Sequence, residues 1–345
     1  MKKIRTFPLL FTVLAAVCAL FALAAVLISG RGPAQSALPE MAVYFVDVGQ
    51  GDCTVVRAGE HVMVIDAGPA DMGNRVNGFI TAQGAEQPEV LVITHDHDDH
   101  IGGLSKLLKE KNFKTVYASS RDTPDMQPLQ PLFDAAAQAG TLFVTAENGT
   151  SFPLGEARVT LLCADLPDGS ANDRSVAVRI DYGEVSFLIA ADLEIRGESA
   201  LIAAGENLDA DVLRVGHHGA DTSTSSRFLK AVSPDYAVIS VGADNAFGHP
   251  SEITLTALTA AHCSVWLTRD SGTVMAVTDG KRVTLKEMYE RPEGDPAYVG
   301  NRKTMKLHFA DCPNVKKMNE GNMEFFARRE DAVSLGYVPG GCCKP

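Results

Sequence analysis

The chain has 345 residues, of which 46% are hydrophobic and 21% charged, and its formal net charge is −12. That length and apolar content exclude a disordered chain and allow one large domain with accessories. The acidic balance, with no basic stripe along the sequence, excludes a protein that grips a nucleic acid backbone over a broad surface.

The N-terminus carries Lys2, Lys3 and Arg5, and from Leu9 to Ile28 no residue is charged. About 20 residues at ~1.5 Å rise make roughly 30 Å of helix, the thickness of a hydrocarbon core. With basic residues ahead of it, the run predicts a transmembrane helix within residues 1–29. The N-terminus then stays in the cytoplasm, giving a single-pass cell-membrane protein with an extracytoplasmic catalytic domain. A cleaved signal peptide, processed near Ala34-Gln35-Ser36-Ala37, is the competing reading and would make the body secreted. The run exceeds the ~7–15 residues of a signal core, which favours the anchor. Residues 30–40, rich in Pro, Gly and small side chains, read as a linker.

Residues 41–288 alternate short apolar runs with helical stretches. Strands are predicted at 42–48, 54–58, 61–66, 90–94, 158–163, 176–181, 185–190, 212–215, 236–241, 265–268, 274–278 and 282–285. Helices are predicted at 101–111, 128–139, 224–232 and 251–261. The order predicts an α/β domain, two sheets packed face to face with helices outside. Cys53, Cys163 and Cys263 stand singly in strand-like surroundings and read as packed thiols. Residues 289–296 form a second linker, and 297–345 a small α+β module.

The chemistry concentrates after the strand at 90–94. That apolar run ends in His95-Asp96-His97-Asp98-Asp99-His100, an unbroken series of metal-capable side chains leading through Gly102-Gly103 into a helix. The spacing directs His95 and His97 to one ion, and Asp99 and His100 to a second. Imidazole suits Zn, Mn or Fe, and carboxylate adds hardness.

With the segments FVDVGQGD, VMVIDAG, HDHDDH, VGHHG and GHP in this order, the chain resembles the metallo-β-lactamase superfamily, and more narrowly the hydrolase domain of ComEC-type competence proteins. The resemblance implies an αββα four-layer metallo-β-lactamase sandwich binding two divalent metal ions, Zn or Mn. It implies that Asp66 braces the metal loop, that Asp192 bridges both ions and that His217 or His218 completes the second site. His217 is favoured as the ligand and His218 is directed to substrate. His249 is placed to contact the scissile group or donate a proton, and Gln50 and Asp52 to support the site. The general superfamily pattern has a histidine ahead of the bridging aspartate. Here that position holds Asn172-Asp173, so Asp173 is the candidate oxygen ligand with Asn172 in support, and manganese gains on zinc.

The C-terminal module resembles the small zinc-binding domain of Ada-type repair proteins. That implies His308, Cys312 and a Cys-x-x-Cys pair as ligands, but the pair is broken. Cys343 is present, Gly340 stands at its partner position, and Cys342 is the available substitute. A further zinc, a degenerate metal-free fold and a disulfide at Cys312 all stay open.

These residues predict a metal-dependent hydrolase of phosphodiester bonds, acting through metal-activated water with catalytic roles for Asp99, His218 and His249. The expected substrate is a phosphodiester such as single-stranded DNA; no organic cofactor is called for. The alternatives are a phosphodiester outside nucleic acid, such as phosphorylcholine on cell-wall polymers, and a non-catalytic metal-binding surface module.

Overall fold

The computed structural model describes residues 41–120 and 123–345. The chain enters through β1 (Met41–Phe45), β2 (Thr54–Ala58), β3 (His61–Ile65), β4 (Val90–Ile93), β5 (Thr115–Ala118) and β6 (Leu142–Thr145). A second sheet follows from β7 (Ser151–Leu154), β8 (Ala157–Cys163), β9 (Val176–Tyr182), β10 (Val185–Ile189), β11 (Val212–Arg214), β12 (Tyr236–Ile239) and β13 (Ser264–Leu267). The chain then returns to the first sheet with β14 (Val274–Thr278) and β15 (Val283–Glu287). The orders are β15-β14-β1-β2-β3-β4-β5-β6 and β13-β12-β11-β10-β9-β8-β7.

Pairing is parallel from β3 to β6 and from β10 to β13, and antiparallel elsewhere in both sheets. Loops leaving the carboxyl ends of β3, β4, β10 and β11 carry the polar motifs. Such ends are where open α/β sheets place their ligands.

Alternate side chains of each strand face opposite sides. Met41, Val43, Phe45, Met63 and Ile65 join Val159, Leu161, Val178, Ile180 and Phe187 in one apolar cluster between the sheets. The outer faces are covered by helices. On the first sheet lie α1 (Gly73–Ala82), α2 (Asp98–Ile101), α3 (Leu104–Glu110) and α4 (Gln130–Gln138), with Phe79, Leu104 and Phe133 clustered with Tyr44, Val64 and Leu91. On the second lie α5 (Ile195–Ala204), α6 (Ser226–Val232) and α7 (Glu252–Ala260), with Leu201, Phe228 and Leu258 clustered with Leu188, Leu213 and Ala237. The short α8 (Thr268–Ser271) links β13 to β14. The layers are therefore helix, sheet, sheet, helix.

Residues beyond β15 add β16 (Tyr298–Asn301), β17 (Lys306–Phe309), β18 (Met323–Phe326), α9 (Arg329–Ser334) and β19 (Val338–Pro339), a sheet of order β18-β16-β17-β19. Its Leu307, Phe326, Leu335 and Tyr337 belong to the same apolar cluster as α1.

The expected localisation requires correction. Among the described residues no helix is long and apolar enough to cross a membrane. The predicted span at 9–28, its alternative processing site and the linker at 30–40 lie outside the described residues.

Candidate metal centre

β3 leads directly into Asp66, whose backbone takes a positive φ of 58° and turns the buried carboxylate under the β4 loop. It accepts hydrogen bonds from the Thr94 amide at 2.9 Å and the Thr94 hydroxyl at 2.6 Å, and its Oδ2 lies 2.7 Å from His100 Nδ1. The Thr94 hydroxyl, having donated to Asp66, accepts from His95 Nδ1 at 3.1 Å. One carboxylate thus orients two imidazoles, directly and through a threonine, and leaves each Nε2 facing the cluster.

Asp192, at the end of β10, is the hub. His100 Nε2 lies 3.3 Å from its Oδ1, and His95, His217 and His218 each bring an Nε2 to within 3.6–3.8 Å of its Oδ2. Two ligand sets share this corner: His95, His97 and Asp192, and Asp99, His100 and His218. His218 Nδ1 donates to the Ser240 carbonyl at 2.8 Å, while its Nε2 is 3.1 Å from Asp99 Oδ2. Four buried atoms here have no hydrogen-bond partner: His95 Nε2, His100 Nε2, His218 Nε2 and Asp192 Oδ1. Buried polar atoms are ordinarily satisfied, and these converge on one another, so the residues fit divalent ions.

Electrostatics agree. Burial acts to raise the Asp192 carboxyl, but His100 and His218 outweigh it and hold it well below the usual range. Burial likewise opposes ionisation of Asp99, yet His218, with Nε2 3.1 Å away, and the nearby His100 bring it to about 2. His95 is pushed well down by burial and by His100, which keeps its ring neutral.

The structure exchanges the expected places of two histidines. His218 is buried with Asp99 and His100, whereas His217 is partly exposed on the open side, near Glu194, Thr222 and Asn172. Both take positive φ, 48° and 54°, in a turn flanked by Gly216 and Gly219, so the rings diverge. Asp173 is not brought to the cluster: it accepts from the Gly197 amide at 3.3 Å and faces Arg196 at 3.8 Å. Asn172 is nearer, with Nδ2 3.5 Å from His217 Nε2. His249 lies on the same open side, its ring 5.6 Å from His217 and stacked on the exposed Phe247. Gln50 accepts from the Gly242 amide at 3.2 Å. Asp52 is buried, accepts from the Ser240 hydroxyl at 3.0 Å and pairs with Arg214 at 2.9 Å.

Arg214 was not singled out by sequence reasoning. It is fully buried, donates to the Ala191 and Val215 carbonyls, and stands 3.7 Å from Asp192 Oδ1. A lone cation inside the apolar run of β11 was the available signal.

A second cluster lies in the C-terminal sheet. His308 Nδ1 is 3.2, 3.8 and 3.6 Å from the sulfurs of Cys342, Cys312 and Cys343, and Cys312 and Cys342 are 3.4 Å apart. Thiolates at ~2.3 Å from a tetrahedral zinc lie roughly 3.8 Å apart, so the set is close to closed around one ion despite two ligands being adjacent in sequence. Gly340 is required where it stands, since a Cβ there would come within 2.6 Å of the His308 ring. All cysteines among the described residues are free, and Cys312 and Cys342 are the pair brought together beside His308.

With fold and site in place, residues 46–243 match the metallo-beta-lactamase superfamily, and the chain belongs to it. The fold is that of a metal-dependent hydrolase, and the clustered His and Asp side chains are the matching metal-binding equipment. Among curated proteins the chain is similar to ComE operon protein 3 of Bacillus subtilis (strain 168), 30% identical over 251 residues, covering 67% of this chain and 32% of that one. It is also similar to competence protein ComA of Neisseria gonorrhoeae, 33% identical over 215 residues, covering 62% of this chain and 29% of that one. The chain therefore spans about a third of the length of these relatives, 32% and 29%. Among solved structures it is similar to the metallo-beta-lactamase fold protein YhfI from Bacillus subtilis, with a TM-score of 0.49, 16% identity, and coverage of 66% of this chain and 96% of that one.

Proposed function

We propose that the chain is a two-metal phosphodiesterase whose substrate is a nucleic acid strand, a ComEC-like nuclease. The observation that carries this reading is Asp192, one carboxylate set between two groups of donors whose inward atoms have no other partner. In this reading His95, His97 and Asp192 hold one ion. Asp99, His100 and His218, with the same Asp192, hold the other. The ions, when bound, supply Lewis acidity towards a phosphoryl oxygen and lower the pKa of water towards ~7.

The chain's own residues supply orientation. Asp66 fixes the two rings it reaches, and Arg214 ties Asp52 to the carbonyl at Ala191, beside Asp192. His217 and His249 face the open side, where their ring N–H groups hold a phosphate oxygen. Imidazole with carboxylate suits zinc and manganese alike. A further zinc is assigned to His308, Cys312, Cys342 and Cys343, and metal analysis should lose that equivalent in Cys312→Ser.

The competence proteins among the relatives support a nucleic acid substrate. A second reading, a phosphodiester outside nucleic acid such as phosphorylcholine on a cell-wall polymer, draws on the net charge of −12. It draws also on a cavity of about 390 Å³ beside His95, whose charged lining is Asp96, Asp165 and Arg174.

The test is hydrolysis of bis-p-nitrophenyl phosphate and single-stranded DNA by the full chain with Mn²⁺, Zn²⁺ or Mg²⁺, beside Asp192→Ala. Cleavage of both, lost in the variant, is the expected result. Cleavage of the small ester alone favours the second reading. Bound metal with no turnover of either sinks both and leaves a metal-binding module.

A further inference from the structure

Asp47 lies just ahead of the 49–52 loop, which the body holds at its far end through Gln50 and Asp52. Gly49 and Gly51 sit at φ of 75° and 141°, conformations that glycine alone takes freely. Gly51 passes so close to the metal loop that a Cβ would stand 2.4 Å from the Asp99 carbonyl oxygen. The Asp52 amide donates to that same carbonyl at 3.1 Å. Asp52 then reaches Arg214 and Ser240, and Ser240 receives the His218 ring N–H. The placing of Asp99 and His218 thus depends on where this loop sits.

The loop is anchored from the C-terminal sheet. Arg302, just after β16, donates to Asp47 Oδ2 at 2.9 Å, while Asp47 Oδ1 accepts from the Gly49 amide at 3.1 Å. Arg75 of α1 donates to the Asp47 carbonyl at 2.6 Å and forms a two-pronged pair with Glu324 of β18, at 2.6 and 3.3 Å. Tyr289 and Tyr337 donate to the same Glu324, at 2.8 and 2.6 Å. Arg75, Asp47 and Glu324 are buried. Burying so many charges is costly unless every one is paired, and a surface-fastened accessory has no need of it.

We propose that the C-terminal sheet completes the active site: Arg302 is a positioning residue that, through Asp47, fixes the 49–52 loop against Asp99. The proposal rests on the phosphodiesterase reading only for its kinetic consequence; the loop contacts stand without it.

The experiment uses the full chain with Mn²⁺ as probe and the variants Arg302→Met, Arg302→Lys and Asp47→Asn. Hydrogen exchange at 47–52, Mn²⁺ affinity, and kcat and KM on bis-p-nitrophenyl phosphate are measured. Arg302→Met and Asp47→Asn should each speed exchange at 47–52 and weaken Mn²⁺ binding or kcat by about 10- to 100-fold, the usual cost of losing a group that orients metal ligands. KM should move far less, and Arg302→Lys should recover most of the loss. If Arg302→Met unfolds the C-terminal sheet, seen as fast exchange across 298–326, Asp47→Asn decides, because it leaves the Arg75–Glu324 pair in place. Wild-type exchange and Mn²⁺ affinity in Asp47→Asn overturn the proposal. A wild-type chain that cleaves no phosphodiester, while Asp47→Asn still loosens the loop and weakens Mn²⁺, refutes the phosphodiesterase reading and leaves the positioning role intact.

Discussion

His217 and His218 are neighbours in sequence and identical in chemistry, yet one is enclosed with Asp99 and His100 and the other borders solvent near His249. The backbone decides this. Non-glycine residues at positive φ cost about 1–3 kcal/mol each and persist where the surroundings hold them. Asp66, Ala191, His217 and His218 all take that conformation around the cluster. His218→Ala should therefore lose about one equivalent of metal per chain, measured by elemental analysis, together with activity. His217→Ala should keep both equivalents and lose activity alone. Equal metal loss in the two variants would refute the assignment. The His95–His100 run stood out in the sequence because metal-capable side chains crowd one strand end, whereas Asp66 and Asp192 were reached only through the resemblance to the superfamily. Which of two adjacent histidines turns inward could not be read, since a run of letters carries no φ. The place of Asp173, capping the start of α5 rather than facing the cluster, was hidden for the same reason.

At the scale of elements, apolar alternation located most strands of both sheets, several to the residue, as with β2 and β14. α1 went unread because GNRVNGFITA is rich in glycine and asparagine, poor helix formers. It forms through tertiary contacts, with Val76, Phe79 and Ile80 packed inward and Arg75 paired to Glu324. β5, β6 and β7 also went unread; each has exposed or half-buried positions, unlike the equally short but fully buried β4 that was found. The helix predicted at 101–111 is divided between α2 and α3 at Gly102-Gly103. A Cβ on Gly103 would lie 2.1 Å from the Ala67 carbonyl oxygen, and one on Gly102 would lie 2.3 Å from the Ala70 amide nitrogen. The glycines let the metal loop press against the turn that carries Asp66. Gly103→Ala should thus destabilise the fold by about 1–3 kcal/mol, the range for overpacking, and reduce metal content as well. Urea unfolding and metal analysis check both; wild-type values in each would show that the close approach is unimportant.

Over the whole molecule, the C-terminal sheet is joined to the body by a charge cluster as well as by apolar surface. Burial works to raise the Glu324 carboxyl, but Arg75 and Arg302 outweigh it and hold it at about 2. Tyr289 and Tyr337 add hydrogen bonds to the carboxylate, and Asp47 shares the two arginines. An unfolded chain would bind that proton near the ordinary value of 4.5. Because the folded value is the lower one, its contribution to stability is complete above about pH 4.5. It disappears as the pH falls towards about 2 and the unfolded state takes up a proton the folded state refuses. The two values imply a contribution on the order of 3 kcal/mol at neutral pH. Glu324→Gln removes the titrating group and leaves buried arginine unpaired, which should cost roughly 3–5 kcal/mol at pH 7. The deficit should narrow as both proteins are taken from pH 4.5 towards pH 2, because only the wild type has a carboxylate to lose. Denaturant unfolding at a series of pH values measures this directly. A constant gap between the two proteins across that window would mean that Glu324 does not carry the acid sensitivity, and that the sheet is held by its apolar contacts instead.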